Sequence, residues 1–325
     1  MNQPDNKLYK TDTNGFRDRW IGFIHDLQDR ICAAFEKLDG ETVFITDEWQ
    51  REHGGGGRTK VMSGGRVFEK GGVNTSVVWG KVTDPIRKQL NIDGEKWFAC
   101  GLSLVIHPVN PYVPTTHANW RYFELFDETG RISDRWFGGG SDLTPYYLFE
   151  EDARHFHSTF RAAMDRFDTD WYPRFKNWCD EYFVNSHREN EMRGIGGVFY
   201  DHLRPAGEQD AERLFAFQEA NGNAFLGAYL PIVEKRADMA YGEKELEWQE
   251  IRRGRYVEFN LIHDRGTLFG LKTQGRTESI LMSLPPRARW SYNYQPAEGS
   301  PEKKLLDACQ HPREWATNPS AQRQS

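Results

Sequence analysis

No stretch of the 325 residues approaches the roughly 18 apolar positions that a membrane-spanning helix needs. The best run, Ala99–Ile106, is broken by Gly101 and Ser103. A basic excess is absent as well. With 42 Lys and Arg against 48 Asp and Glu, the formal net charge is −6, which excludes a general nucleic-acid binder. Any anionic ligand must therefore be met by a local cluster of arginine or lysine. Cysteine is sparse: Cys32, Cys100, Cys179 and Cys309 form no CxxC pair and read as separate reduced thiols. The N-terminal MNQPDNKLYKTDTNGF has no apolar core, and its acidic residues argue against a transit peptide. The cytoplasm is the expected compartment. Three further features are missing: the H-E-x-x-H of a zinc protease, a P-loop and any internal repeat. Gly57-Arg58-Thr59-Lys60 lacks the Lys-Ser/Thr pair that a P-loop places after its last glycine.

Aromatic side chains, by contrast, make up 14% of the chain, with 11 Trp. Such a chain can build wide, flat-walled pockets on which ring-shaped ligands stack. Phe16, Trp20, Ile24, Leu27, Ile31, Phe35 and Leu38 recur at steps of four and three, between Asn14 and Gly40, and predict an amphipathic helix. The glycine-rich stretch from His53 to Gly80 suggests hairpins. Phe98–His107 and Asn119–Phe126 read as strands joined by a proline-rich turn. Helices are expected over Leu148–Phe167, Tyr172–Ser186, Ala211–Ala220, Ala224–Met239 and Glu243–Arg253. A glycine-rich β segment covers Arg193–Asp201, and further strands cover Tyr256–His263, Leu268–Lys272 and the region of Arg289–Tyr294. Because turns often separate the strands, the expected class is α+β: one large, mainly antiparallel sheet flanked by helices on both faces. One domain, residues 12–316, accounts for the pattern, with a flexible tail at 317–325.

Side chains alternate along a strand, so Ser103, Val105 and His107 share one face, while Asn119, Arg121 and Phe123 share a face of the neighbouring strand. If the faces coincide, Ser103, His107, His117, Asn119 and Arg121 converge. In Phe137-Gly-Gly-Gly-Ser-Asp142, the glycines let backbone approach a ligand, and Asp142 reads equally as an acceptor for an N–H donor or as a helix N-cap. His155 and His157 lie on different sides of a helix and cannot share an ion from it; His157 with His187 and the hairpin histidines could assemble a site across elements. Asp264-Arg265-Gly266 is an ionisable turn, and Arg276 follows a glycine as an anion anchor would.

The blocks NPYVPTTHANWRYFE, FGGGSDLTPYY, KNWCDEYF…HREN…RGIGGVFYD, YVEFNLIHDRGTLFGL and GRTESILMSLPPRARW, with GGGGRTKVMSGGRVFEKGGVNTS before them, resemble the oxygen-dependent coproporphyrinogen III oxidase family, and the resemblance runs in order from about Phe16 to Trp315. The resemblance implies oxidative decarboxylation of two propionates to vinyl groups, O2 as co-substrate, CO2 and H2O2 as products, no organic cofactor, and a homodimer. It places His117 at the proposed proton donor, with Asp142 and Asp264 as carboxylates towards the pyrrole nitrogens. It puts Ser103, Asn119, Trp120, Arg121, Arg265, Gln274, Gly275 and Arg276 at substrate contacts. Gln274 departs from the pattern, standing where related bacterial sequences often carry glycine. It also matches His107, His117, His157 and His187 to a ligand set for a divalent cation such as manganese. Two rival expectations are a metal-dependent oxygenase acting on a ring substrate, and a non-catalytic tetrapyrrole carrier.

Overall fold

The computed structural model describes residues 15–52, 54–90, 92–272 and 275–316; Asn14, Gln274 and the expected tail at 317–325 lie outside them. In chain order the elements are α1 (Phe16–Asp39), β1 (Ile45–Gln50), β2 (Gly55–Ser63), β3 (Phe68–Lys81), α2 (Asp84–Leu90), β4 (Lys96–Pro108), β5 (Thr115–Phe126) and β6 (Ile132–Thr144). Then come α3 (Glu150–Met164), α4 (Trp171–Tyr182), the short β7 (Val184–Asn185) and β8 (Glu191–Met192), β9 (Gly197–Leu203) and α5 (Glu208–Arg236). The chain continues through α6 (Glu243–Glu258), a single π turn (Phe259–His263), α7 (Arg265–Lys272), α8 (Thr277–Leu281) and α9 (Pro301–Gln310). Among the described residues, seven strands form one sheet in the order β1-β2-β3-β4-β5-β6-β9, every pair antiparallel. The fold is α+β, with helices on both faces of that sheet.

One face is the core. Leu102, Leu104, Trp120, Tyr122 and Phe137 are at most 1% exposed and meet the apolar stripes of α1 and α5. The expected helix from Phe16 is α1, and its stripe supplies Trp20, Ile24, Leu27, Ile31 and Phe35. Two expected helices, Ala211–Ala220 and Ala224–Met239, are one: α5 runs through Asn221-Gly222-Asn223. A Cβ at Gly222 would stand 2.8 Å from Leu27 and 2.9 Å from Phe23, so this glycine lets α1 and α5 approach closely and does not break the helix.

The opposite face is polar, and the chain after α6 covers part of it. Here the sequence expectations need correction. Tyr256–His263 is not a strand but the end of α6 and the π turn, because Arg252, Tyr256, Phe259 and Asn260 are buried at helical spacing. The alternation of apolar and polar residues in Tyr-Val-Glu-Phe-Asn-Leu imitated a strand over too short a window. Leu268–Lys272 belongs to α7, and Arg289–Tyr294 forms no regular element. The glycine triplet before Asp142 lies inside β6, so Asp142 is a strand residue and not a helix cap.

Candidate active site

Strand register aligns one row across the whole sheet: Asp47, Thr59, Asn74, Ser103, Asn119, Gly140 and Phe199. All point to the polar face, since residues directly opposite one another share a face. From Ser103 to Gly140 the row has no side chain larger than asparagine. That stretch is a flat floor. At its β1–β2 edge, α8 is held by Ser279, whose hydroxyl lies 2.9 Å from that of Thr59 and whose carbonyl accepts from Asn74 at 3.0 Å. Arg276 precedes α8, pairs with Asp47 and reaches the Ser279 hydroxyl at 3.4 Å. At the β9 edge stand Asp264 and Arg265, at the start of α7. Strands repeat every ~4.8 Å, so the five spacings from β2 to β9 span about 24 Å.

A chain of hydrogen bonds crosses the middle of this floor. Arg121 Nη1 donates to Asn119 Oδ1 at 2.7 Å, and Asn119 Nδ2 then donates to His117 Nε2 at 3.3 Å. The arginine fixes which end of the amide faces the imidazole. His117 Nε2 must therefore accept, which leaves the proton on Nδ1, where it is donated to Asp142 Oδ1 at 2.8 Å. Asp142 is 2% exposed and takes three further contacts from Arg193, at 2.8, 3.0 and 3.2 Å. Burial works to raise its pKa, but the Arg193 guanidinium and His117 outweigh it and hold the carboxyl below its ordinary value. Arg193 is itself boxed in. It donates to Asn260 Oδ1 at 2.9 Å and lies over the rings of Phe183, Tyr256 and Phe259 at 4.0 to 4.9 Å. The Arg121 guanidinium turns towards Asp201, 3.2 Å away. Gly138 makes this possible: a Cβ there would stand 2.6 Å from Arg121 Nε and 2.7 Å from Asp201.

Asp264 caps α7, its Oδ2 accepting the Thr267 N–H at 2.7 Å, while Oδ1 accepts from the Tyr182 hydroxyl at 3.0 Å. The cap expected as an alternative for Asp142 thus falls on Asp264. Each Asp264 oxygen accepts one hydrogen bond from the described residues, and the residue is partly exposed. Of the two carboxylates, Asp264 is the one a ligand can reach.

Several expected contacts are not brought to this face. Trp120 is fully buried in the core, its indole N–H donating to Asn221 Oδ1 at 3.1 Å, because alternation sends it opposite to Asn119 and Arg121. Gly275 lies against Gly270 and donates its N–H to that carbonyl at 2.7 Å. The four histidines do not form one ligand set. His107 is buried, with ring nitrogens 3.2 Å from the Thr115 hydroxyl and 2.9 Å from the Ser283 carbonyl. His157 is buried between the Tyr172 hydroxyl and the Ile195 carbonyl. His187 meets His263 at 2.7 Å and Glu258 at 2.9 Å. Each imidazole spends both nitrogens on a different set of protein groups. No group of three or more His, Cys, Asp or Glu side chains is placed to hold one metal ion among the described residues. A cleft of about 310 Å³ between α6, α9 and residues 187–191 and 291–296 includes His187 alone of the expected site residues; the convergent polar groups lie on the open sheet face instead. Arg193, Asp201, Asn260 and Tyr182 had no sequence signal of their own. A buried arginine opposite a glycine-flanked aspartate becomes visible only once β6 and β9 pair.

A broad, polar sheet floor with arginines and carboxylates at its margins and a histidine–aspartate pair in its middle defines an acid–base enzyme for a flat, anionic substrate. The model of the coproporphyrinogen III oxidase family matches residues 19–315, and the chain belongs to that family. It is 51% identical over 323 residues to the oxygen-dependent coproporphyrinogen-III oxidase of Synechococcus sp. (strain CC9605), covering 92% of this chain and 87% of that protein. The same figures hold for the enzyme of Parasynechococcus marenigrum (strain WH8102). The protein from Glycine max, whose name adds "chloroplastic", is 48% identical over 328 residues, 97% of this chain and 84% of the relative.

Proposed function

We propose that the chain converts two propionates of coproporphyrinogen III to vinyl groups, giving protoporphyrinogen IX. For each vinyl formed, the bond to the carboxylate carbon breaks, CO2 leaves, and the β-carbon gives up a hydrogen. The β-carbon hydrogen leaves with two electrons and one proton, and these, with a second proton from solvent, reduce one O2 to H2O2. The observation that carries this reading is the flat floor bracketed by Arg121, Arg276 and Asp264, in a chain half identical to named oxidases of this kind.

Ser103 and Asn119 line the floor under the macrocycle. Arg121 and Arg276 hold propionates, because a carboxylate taken from water needs a cation. Asp264 accepts the pyrrole N–H, and the electron-rich ring then passes electrons to oxygen. Asp142, enclosed by Arg193, orients His117, whose imidazole moves protons at the peroxide. Arg265 lies beside Asp264 towards the substrate, and Gly275 shapes the turn that carries Arg276. No step is routed through a metal, since the histidines matched to a ligand set do not converge. The catalytic unit is residues 12–316, working in the cytoplasm as a homodimer; light scattering of the purified protein tests the dimer.

Oxygen uptake and product analysis with coproporphyrinogen III, on chelator-treated and on metal-repleted protein, test the activity. Oxygen loss matched by divinyl product is the expected result. Binding of the oxidised ring without oxygen loss under either condition would leave a carrier. Activity appearing only with added metal would call for a metal site other than the four histidines together. Asp264→Asn should lower kcat on the order of 10²- to 10⁴-fold with the fold intact, and unchanged turnover would remove Asp264 from the reaction.

A further inference from the structure

We propose that Tyr182 is a positioning residue that fixes the span between the two halves of this site, the sheet half with Arg121 and the helical half with Asp264. The inference rests on the reading above, in which Arg121 anchors a carboxylate and Asp264 accepts an N–H. Four side chains stand in series. The Arg121 guanidinium lies 5.7 Å from the centroid of the Phe199 ring. The Tyr182 ring stacks on the same Phe199, centroids 4.3 Å apart and planes within 4°. The Tyr182 hydroxyl donates to Asp264 Oδ1 at 3.0 Å and accepts the Arg265 backbone N–H at 3.1 Å. The Arg265 guanidinium then returns over the Tyr182 ring, 4.8 Å from its centroid.

Every link in this series is rigid or held. Phe199 belongs to β9 of the sheet, and Tyr182 is the last residue of α4. Phe183 and Phe259 brace the Tyr182 ring edge-on at 4.8 and 5.9 Å. A pair of stacked rings can neither shorten nor stretch, so anchor and acceptor keep their separation before any substrate arrives. Such preorganisation matters because a misplacement of ~1 Å at a reacting centre costs about 10²-fold in rate. The hydroxyl separates this role from plain packing. An apolar cluster of Phe183, Phe199 and Phe259 needs a ring at position 182, but it does not need an oxygen. That oxygen instead makes one bond to the Asp264 side chain and one to the backbone of its neighbour, which sets both the rotamer of Asp264 and the start of α7.

The test uses the full chain carrying Tyr182→Phe or Tyr182→Leu. Steady-state oxygen uptake with coproporphyrinogen III gives kcat and KM, and fluorescence quenching by coproporphyrin III gives a binding constant without turnover. Tyr182→Phe keeps the stack and loses the hydroxyl. It should lower kcat roughly 10- to 100-fold, leave KM and coproporphyrin binding within about twofold, and unfold at the wild-type temperature. Tyr182→Leu loses the ring spacer too, and should in addition weaken coproporphyrin binding by roughly tenfold. A Tyr182→Phe enzyme with wild-type kcat overturns the proposal, and so does a folded Tyr182→Leu protein that binds coproporphyrin normally. If Asp264→Asn turns over at the wild-type rate, the acceptor reading fails separately; the Tyr182→Leu binding measurement, which needs no turnover, still decides the spacer.

Discussion

Adjacent residues of β5 have opposite fates on the two faces of the sheet. Trp120 and Tyr122 are sealed against α1 and α5, Trp120 meeting Phe225 edge-on at 6.0 Å and Tyr122 meeting Phe137 at 4.9 Å. His117, Asn119 and Arg121 form a hydrogen-bonded relay on the open face. Distance along the chain does not separate the two sets. The parity of the position does, because a strand delivers every second side chain to the same side. A single strand can thus hold the fold on one face and the chemistry on the other, and a substitution should fail in a different way according to which face it strips.

The sharpest break would come from a neighbouring pair of variants. Trp120→Ala should cost about 3–5 kcal/mol in denaturant unfolding, while the molecules that stay folded keep KM within about twofold. Arg121→Ala removes a guanidinium that is 38% exposed from an Asp201 that is only 17% exposed, and should cost about 1–2 kcal/mol of stability but raise KM roughly tenfold or more. If the two costs came out the other way round, the partition by parity would not hold. Arg193 tests it from the side, because it serves the polar face yet is as buried as the core. Arg193→Met leaves Asp142 enclosed without its counter-charge, and the expected loss of stability is about 3–5 kcal/mol. A loss below 1 kcal/mol would mean that water reaches Asp142 and that the burial argument for it is wrong.

The same parity explains what could be read in advance. Phe98–His107 is an apolar run of strand length and Asn119–Tyr122 alternates polar with aromatic, so both strands, their antiparallel pairing and the Ser103–Asn119–Arg121 face are legible in the sequence. The resemblance places Trp120 at the substrate as part of a contiguous contact segment, and a contiguous segment ignores alternation. The helix ending near Glu258 was cut short because the apolar and aromatic residues from Tyr256 to Ile262 match a strand as well as a buried helical turn. The resemblance matches His107 and His157 to metal ligands, whereas hydroxyls and carbonyls from elsewhere in the chain take up their nitrogens. Those partners come from tertiary structure, and no local spacing announces them.

His157 carries the comparison into pH. It belongs to the core side, where burial lowers its pKa to about 3, against an ordinary value near 6.5. Between these values the unfolded chain binds a proton that the folded chain refuses. The contribution of this group to stability is therefore fully present above pH 6.5 and is lost as pH falls towards 3, at about 1.4 kcal/mol per unit. From pH 6.5 to 5 that amounts to roughly 2 kcal/mol. His157→Gln should be less stable than wild type at pH 7 yet show a flatter decline across this window, and urea unfolding at pH 7, 6 and 5 measures both. Parallel slopes for the two proteins would mean that His157 takes up its proton in the folded state.

Arg276 gives the smallest expected effect, and it concerns the far margin of the floor. Its guanidinium is 31% exposed and is paired with Asp47, which is more exposed still. A propionate arriving there must compete with that carboxylate, so part of the attraction is already spent. Arg276→Ala should therefore cost less than ~1 kcal/mol of stability and raise KM only a few-fold, well short of the Arg121 effect. Asp47→Asn offers the complementary measurement, since releasing the guanidinium from its partner should lower KM. If Asp47→Asn raised KM as much as Arg276→Ala does, the ion pair itself, rather than the free arginine, would be what shapes this edge of the site. The floor would then have its carboxylate anchor on the β5 side alone.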